Sequence, residues 1–270
     1  MGRLVSDPRD REIAELQATL AFERRRLERE LDFARRIQLN LMPSEPPQPA
    51  GWEIATAYRA ARVVGGDFYD AFELPGQAGR IGLIIADVTG KGLTAALMMA
   101  FTRAVHRAAA YNGSSPADWL ERTNRVLIRD ARTGLFVTAI AAEVDPSKGL
   151  LRYASAGHEP ALMARWGAHS VEELPAGGML LGLAELAPTA DQEVPFEPGD
   201  LAVLYTDGVT DAIDADGARF GTERLAGAVA RTRGLVAPEV VSEILAAVDG
   251  FAGSAEPADD LTLVAVRRLP

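Results

Sequence analysis

The chain has 270 residues, 48% of them hydrophobic, with 28 basic and 38 acidic side chains and a formal net charge of −10. This composition excludes a disordered chain, and the acidic balance argues against a ligand recognised through nucleic-acid phosphates. The absence of cysteine excludes disulfides, thiolate metal sites and cysteine nucleophiles, and fits a reducing compartment.

Residues 1–44 carry nine Arg against eight acidic residues, so the negative excess lies in the remainder, where it serves solubility or is partly neutralised by bound metal. The N-terminus lacks the apolar core of a signal peptide, and Gly2 with Ser6 meets only the short myristoylation pattern. The longest apolar run, Leu93 to Phe101, lies between Lys91 and Arg103 and is too short to span a bilayer. A soluble, cytoplasmic protein without a membrane span is expected.

From Asp10 to about Met42 there is neither Gly nor Pro, and charged residues dominate. Ile13, Leu16 and Leu20, then Leu27, Leu31, Ala34 and Leu41, follow heptad-like spacing, with a four-residue stutter between Leu20 and Arg24. So narrow a seam cannot bury itself alone, which favours a coiled-coil homodimer or a signalling linker from an upstream sensor or activator. The plain alternative is a solvated helix packed on its own domain. Pro43, Pro46, Pro47 and Pro49 end the helix, so the chain divides into a linker helix, 1–44, and a body, 45–270.

Strands are expected at 52–58, at 81–86 (apolar throughout, hence central), at 136–144 and 150–155 as a hairpin across Asp145–Gly149, at 160–164, 201–205 and 261–266. Helices are expected over 92–110 (apolar on most faces), from Pro116 to Arg129 with Ser114 or Ser115 as N-cap, and at 223–232 and 238–247. Strands and helices come in groups rather than in strict alternation, which argues for an α+β fold with largely antiparallel sheets.

Chemistry concentrates in short aspartate motifs at strand ends and in Gly-rich turns. Asp87 follows the central apolar strand and opens the turn Asp87-Val-Thr-Gly-Lys-Gly92, where the glycines let the backbone approach a ligand and the Val88 carbonyl can face a cation. The competing reading is that Asp87 caps the following helix. A Walker phosphate loop is excluded by spacing. Asp207 follows Leu201–Tyr205, with Asp211 four residues on, and Asp67 follows two glycines. Asp259-Asp260 precedes the last strand, where adjacent like charges need a cation or donors nearby. Asp214-Ala-Asp216-Gly217 lacks the other ligands of a calcium loop and reads as a turn. Carboxylates that converge in this way favour a hard divalent cation.

The ordered set Arg62-x-x-Gly-Gly-Asp67-Phe-Tyr-Asp70, Asp87-Val-Thr-Gly-Lys-Gly92, Ala156-Gly157-His158, Thr206-Asp207-Gly208-Val-Thr-Asp211 and Asp259-Asp260-Leu-Thr262 resembles the SpoIIE/RsbU-type bacterial serine phosphatases of the PP2C (PPM) superfamily. The likeness covers roughly residues 50–268, together with Ala34-Arg-Arg-Ile-Gln-Leu-Asn-Leu-Met-Pro43. It implies an αββα sandwich of two antiparallel sheets flanked by helices, preceded by the long helix, with a site for two Mn²⁺ or Mg²⁺ ions at one edge.

By the same resemblance Asp87, the Val88 carbonyl, Asp207 and Asp259 are metal ligands, and Asp67 is a ligand or holds metal-bound water. Arg62 binds the phosphate, unless it is an ordinary surface arginine. Asp70, Gly90, Gly92, Asp211 and Asp260 support the site. The implied reaction is hydrolysis of a protein phosphoserine or phosphothreonine by a metal-activated water, the substrate being a phosphorylated STAS-type anti-sigma-factor antagonist. His158 is expected to make structural hydrogen bonds, and His106 and His169 have no ligand spacing. The alternatives are a pseudophosphatase acting by sequestration, or another two-metal hydrolase.

Overall fold

The computed structural model describes residues 8–77, 79–131, 134–168, 170–185 and 190–270; the Gly2–Ser6 pattern and His169 lie outside them. The elements run α1 (Pro8–Leu41), β1 (Trp52–Arg59), β2 (Phe68–Glu73), β3 (Ile81–Val88), α2 (Leu93–Asn112), α3 (Pro116–Val126), β4 (Val137–Asp145), β5 (Leu150–Ala156), β6 (Leu162–Ala164), β7 (Val171–Glu173), β8 (Gln192–Pro195), β9 (Leu201–Tyr205), α4 (Asp207–Thr210), α5 (Gly221–Arg231), α6 (Ala237–Ala252) and β10 (Leu261–Arg268).

Strand periodicity builds the layers. Along β9 and β10, Ala202, Leu204, Val264 and Val266 enter one core while Leu201, Val203, Leu263 and Ala265 enter another. A strand buried on both faces must lie in a sheet covered on both sides. The strands form two five-stranded sheets, β1-β10-β9-β6-β7 and β2-β3-β4-β5-β8, with every neighbouring pair antiparallel. Helices α5 and α6 cover the outer face of the first sheet, and α2 and α3 that of the second. The expected αββα sandwich is therefore present, and β3 has a partner on each side, as its apolar run required.

Strands β2, β7 and β8 and the short α4 were not anticipated. Strand β2 carries Asp70 and Glu73, and β8 carries Gln192, Glu193 and Pro195, so neither reads as a strand from composition. Ser115 does cap α3, its side chain accepting from the Asp118 N–H. Helix α1 is continuous over 34 residues. Ile13, Leu16, Leu20 and Leu27 stand 53–71% exposed along it, whereas Gln38 and Met42 are buried against the body. Among the described residues no helix is long and apolar enough to cross a membrane.

Asp70, expected to support the site, lies on the helix-covered face of β2. It is 1% exposed and points at α2, accepting hydrogen bonds from Arg103 at 3.2 Å, from Arg107 Nε at 2.8 Å and from a second Arg107 nitrogen. It fastens β2 to α2 and does not join the carboxylates at the sheet ends, because alternation along β2 turns it to the helix-covered face. Removing one partner of a buried ion pair leaves the other uncompensated, so Asp70→Ala should cost about 3 kcal/mol or more of unfolding free energy. The urea midpoint at unchanged slope measures it, and a loss below about 1 kcal/mol would refute the fastening role.

Candidate active site

Four chain segments deliver carboxylates to the same end of the two sheets. Asp67 lies directly before β2, Asp87 near the end of β3, Asp207 at the junction of β9 and α4, and Asp259 two residues before β10 starts. Asp87 is fixed by pairing within β3, and the other three lie within two residues of a largely buried strand. The register seats Asp87 opposite Thr138 and Thr262 opposite Tyr58.

Asp67 is the most enclosed, at 2% exposure, and accepts from Thr262 Oγ at 2.9 Å with further support from the Thr206 side chain. Thr262 belongs to the other sheet and Thr206 directly follows its strand β9, so this carboxylate ties the two layers together. Burial, and then the charge of Asp87, raise its pKa well above the ordinary carboxylate range. Burial also lifts Asp87 to about 6; a hydrogen bond to Asp67 opposes that rise, and Asp207, Asp259 and Asp260 add to it. Asp207 is raised by burial, then by Asp259 and Asp211. Glu159, which the sequence reading passed over, is raised by burial and by the same Asp207 and Asp211.

The turn after Asp87 is built by glycine and threonine. Gly90 and Gly92 have φ of +98° and +75°, a region costly for any side chain. Thr89 is bound to Phe136 in both directions, through its N–H and its hydroxyl. Helix α2 begins after Gly92 with no side-chain cap, so Asp87 does not cap it and that alternative fails. Lys91 crosses to the β10 side, reaching Asp259 Oδ2 and the Ala258 carbonyl, each at 3.0 Å.

Asp260 is engaged with backbone rather than with the carboxylate cluster. Its two oxygens accept from the N–H groups of Ala61 at 2.8 Å and Gly66 at 2.7 Å, which braces the loop leading to Asp67. Three glycines permit this closeness: an added Cβ would lie 2.2 Å from Asp260 Oδ2 at Gly65, 2.7 Å from the Val88 carbonyl at Gly66, and 1.8 Å from the Asp260 carbonyl at Gly208. Asp211 pairs with Arg219 at 2.7 Å, and its N–H caps the Asp207 carbonyl. Arg62 stands exposed on the same loop as Asp67, without an ion pair among the described residues.

His158 is buried, with Nδ1 at 2.8 Å from Thr138 Oγ1 and Nε2 at 3.1 Å from the Tyr205 carbonyl, the expected structural role. His106 is fully buried between α2 and α3, apart from the site. Sequence reasoning quoted Thr206 and Thr262 inside their motifs but gave them no task; their recurrence beside aspartates was the available signal.

Among the described residues no three acidic or imidazole side chains close tightly enough around one point to hold an ion as they stand. Asp67 and Asp87 engage each other, and Asp259 is turned to Lys91. The donor set nonetheless fits a hard divalent cation in its chemistry. It offers Asp67, Asp87 and Asp207, whose proton affinities are raised, beside Asp259, which pairs with Lys91.

The chain is similar in sequence and fold to known proteins. The family model "Stage II sporulation protein E (SpoIIE)" matches residues 77–269. The chain is 29% identical to phosphoserine phosphatase RsbU of Bacillus subtilis over 199 residues, covering 74% of this chain and 58% of that one. It is 30% identical to phosphoserine phosphatase RsbP of the same organism over 189 residues, covering 68% of this chain and 45% of that one. It thus spans about half the length of these curated relatives. The SiaA-PP2C domain of Pseudomonas aeruginosa superposes with a TM-score of 0.79 at 25% identity, covering 91% of this chain and 98% of that one.

The raised carboxyls fix the sign of a pH effect. The folded chain keeps a proton on Asp87 that the unfolded chain has released. The stability this contributes is therefore present below the ordinary value of 3.8 and is lost as pH rises towards about 6. Metal-free protein should lose up to about 3 kcal/mol from this group across that window. Mn²⁺ added at pH 7 should restore stability by binding the folded state alone. Denaturant titrations at several pH values test this, and an identical slope in Asp87→Asn would refute it.

Proposed function

Because the chain belongs to the SpoIIE family of PP2C-like domains, we propose that it is a metal-dependent protein serine/threonine phosphatase acting on a phosphorylated STAS-type regulatory protein. The observation that carries this reading is the convergence of Asp67, Asp87, Asp207 and Asp259, where among the described residues the ion-paired cation is Lys91, on Asp259. Such a rim repels a phosphate dianion unless cations intervene. The named activity of RsbU and RsbP supports a phosphoserine substrate.

In this reading Asp67, Asp87, Asp207, Asp259 and the Val88 carbonyl hold two Mn²⁺ or Mg²⁺ ions. When bound, these ions neutralise phosphoryl charge and acidify an attacking water. The chain's own residues prepare the rest. Thr206 and Thr262 orient Asp67, so its carboxylate meets the site in one rotamer. Asp260 holds the backbone that carries it. Gly90 and Gly92 bend the chain sharply enough to bring Asp87 and Lys91 to one rim. Asp211 holds the backbone of Asp207. Arg62, exposed and without an ion pair among the described residues, would take two phosphoryl oxygens through its planar fork.

Asp87→Asn and Asp207→Asn should each lower Mn²⁺-dependent hydrolysis of a phosphoserine STAS protein by about a thousandfold or more, with the unfolding midpoint at neutral pH unchanged or higher. Retained activity in both variants would refute the site. Activity on free nucleotides with none on the phosphoprotein would refute the substrate class.

The exposed seam Ile13, Leu16, Leu20 and Leu27 supports a homodimer through α1, with the helix also open to an upstream activator. Sedimentation should show a dimer that Leu16→Glu with Leu20→Glu converts to monomer. A wild-type monomer at tens of micromolar would refute it.

A further inference from the structure

Around the end of α6, against the first sheet, lies a cavity of about 250 Å³. Ile213, Val248, Ala252, Ala255 and Leu261 give it apolar walls. Arg59 and Asp249 line it as well, and they neutralise each other in a two-pronged ion pair at 2.5 and 3.1 Å. No step of the proposed hydrolysis uses this space, yet it borders the reaction site on two sides. Asp259 of the carboxylate cluster lines it, as does Gly208, which directly follows Asp207. Arg59 ends β1 three residues before Arg62, on the approach to the loop that carries Arg62 and Asp67. Lys91 pins the shared wall, because its bonds to Asp259 and to the Ala258 carbonyl both go to lining residues.

The lining selects a class of ligand. Arg59 is engaged with Asp249 and Asp259 with Lys91, so among the described residues the lining charge without an ion pair is the exposed Glu256. An anion is therefore disfavoured, while the walls favour burial of apolar surface. A cavity of about 150 Å³ accommodates benzene, so this one has room for a branched aliphatic side chain. Successive residues of an extended chain advance by about 3.3–3.6 Å. A phosphoserine held at the carboxylates thus brings its near neighbours to the far side of Asp259.

We propose that this cavity is a specificity pocket, which receives a leucine or isoleucine side chain one or two positions from the phosphoserine of the protein substrate. The proposal rests on the phosphatase reading and adds to it a local sequence preference that phosphate and metal alone would not impose.

The experiment uses the full chain with Mn²⁺ and short phosphoserine peptides, otherwise alanine, with leucine placed in turn at each position from two before to two after the phosphoserine. Leucine at one of these positions should raise kcat/KM about tenfold over the all-alanine peptide, chiefly through KM. Ala252→Leu combined with Ala255→Leu fills the cavity and should bring the two peptides within about twofold of each other, the alanine peptide being hydrolysed as by wild type. Ile213→Ala enlarges the cavity and should move the preference from leucine to phenylalanine.

A wild type that hydrolyses p-nitrophenyl phosphate yet gains less than about twofold from leucine at every position, or cleaves no peptide, overturns the pocket and leaves the metal site standing. A leucine preference that survives filling overturns it too. If filling slows both peptides alike, Ile213→Ala decides: a shift to phenylalanine supports the pocket, and an unchanged preference overturns it. A wild type without Mn²⁺-dependent hydrolysis of any peptide or of p-nitrophenyl phosphate overturns the phosphatase reading and the pocket with it.

Discussion

Mutual repulsion among carboxylates at the mouth between two sheets is the constraint to which the rest of this structure is fitted. Burying several negative charges together is unfavourable, and the chain offsets it locally in three ways. Asp67 is given threonine hydroxyls, Asp259 is given Lys91, and Asp260 is spent on two backbone donors. The offset is incomplete: burial still raises the proton affinity of Asp67 despite its hydroxyls, and raises that of Asp87 and Asp207. A site that holds protons more tightly than water does is also one that a divalent cation can relieve.

Holding repelling groups in place requires rigid supports, and the sandwich supplies them. Strands β3, β9 and β10 are buried along nearly their whole length, so the residues at their ends inherit positions set by two apolar cores. The second sheet is fixed to its helix layer by a buried ion-pair cluster as well as by packing, through Asp70 with Arg103 and Arg107. Since α2 follows the Asp87 turn, that cluster fixes the far side of the same turn. Asp67, hydrogen-bonded to residues of the opposite sheet, closes the arrangement.

Most of the layers and most of the site were legible because they rest on local signals: apolar runs, period-two alternation, and aspartates next to glycines at strand ends. What escaped depends on contacts distant in sequence. Strand β2 is polar enough to pass for a loop, and it becomes a strand because it pairs with β3. Asp70 was grouped with the site through its place in a motif, while its actual partners lie 33 and 37 residues away on α2. Gln38 stood inside the quoted linker stretch but had no task there, since a glutamine on a charged helix looks solvated until the loop 27 residues on is folded against it. His158 was readable because a buried strand-end histidine commonly satisfies backbone carbonyls, as it does here with Tyr205.

The close backbone approaches at Gly65, Gly66 and Gly208 have a consequence for how this protein responds to substitution. At these positions even a methyl group would collide with Asp260 or Val88, so alanine is not a neutral truncation there but an insertion of volume into filled space. Alanine scanning along the site loops would rank such glycines beside the carboxylates and blur ligand with spacer. Exchanges that keep shape and remove charge, aspartate to asparagine, separate the two classes. The permitted variation in these loops is accordingly chemical at the aspartates and nil in volume at the glycines.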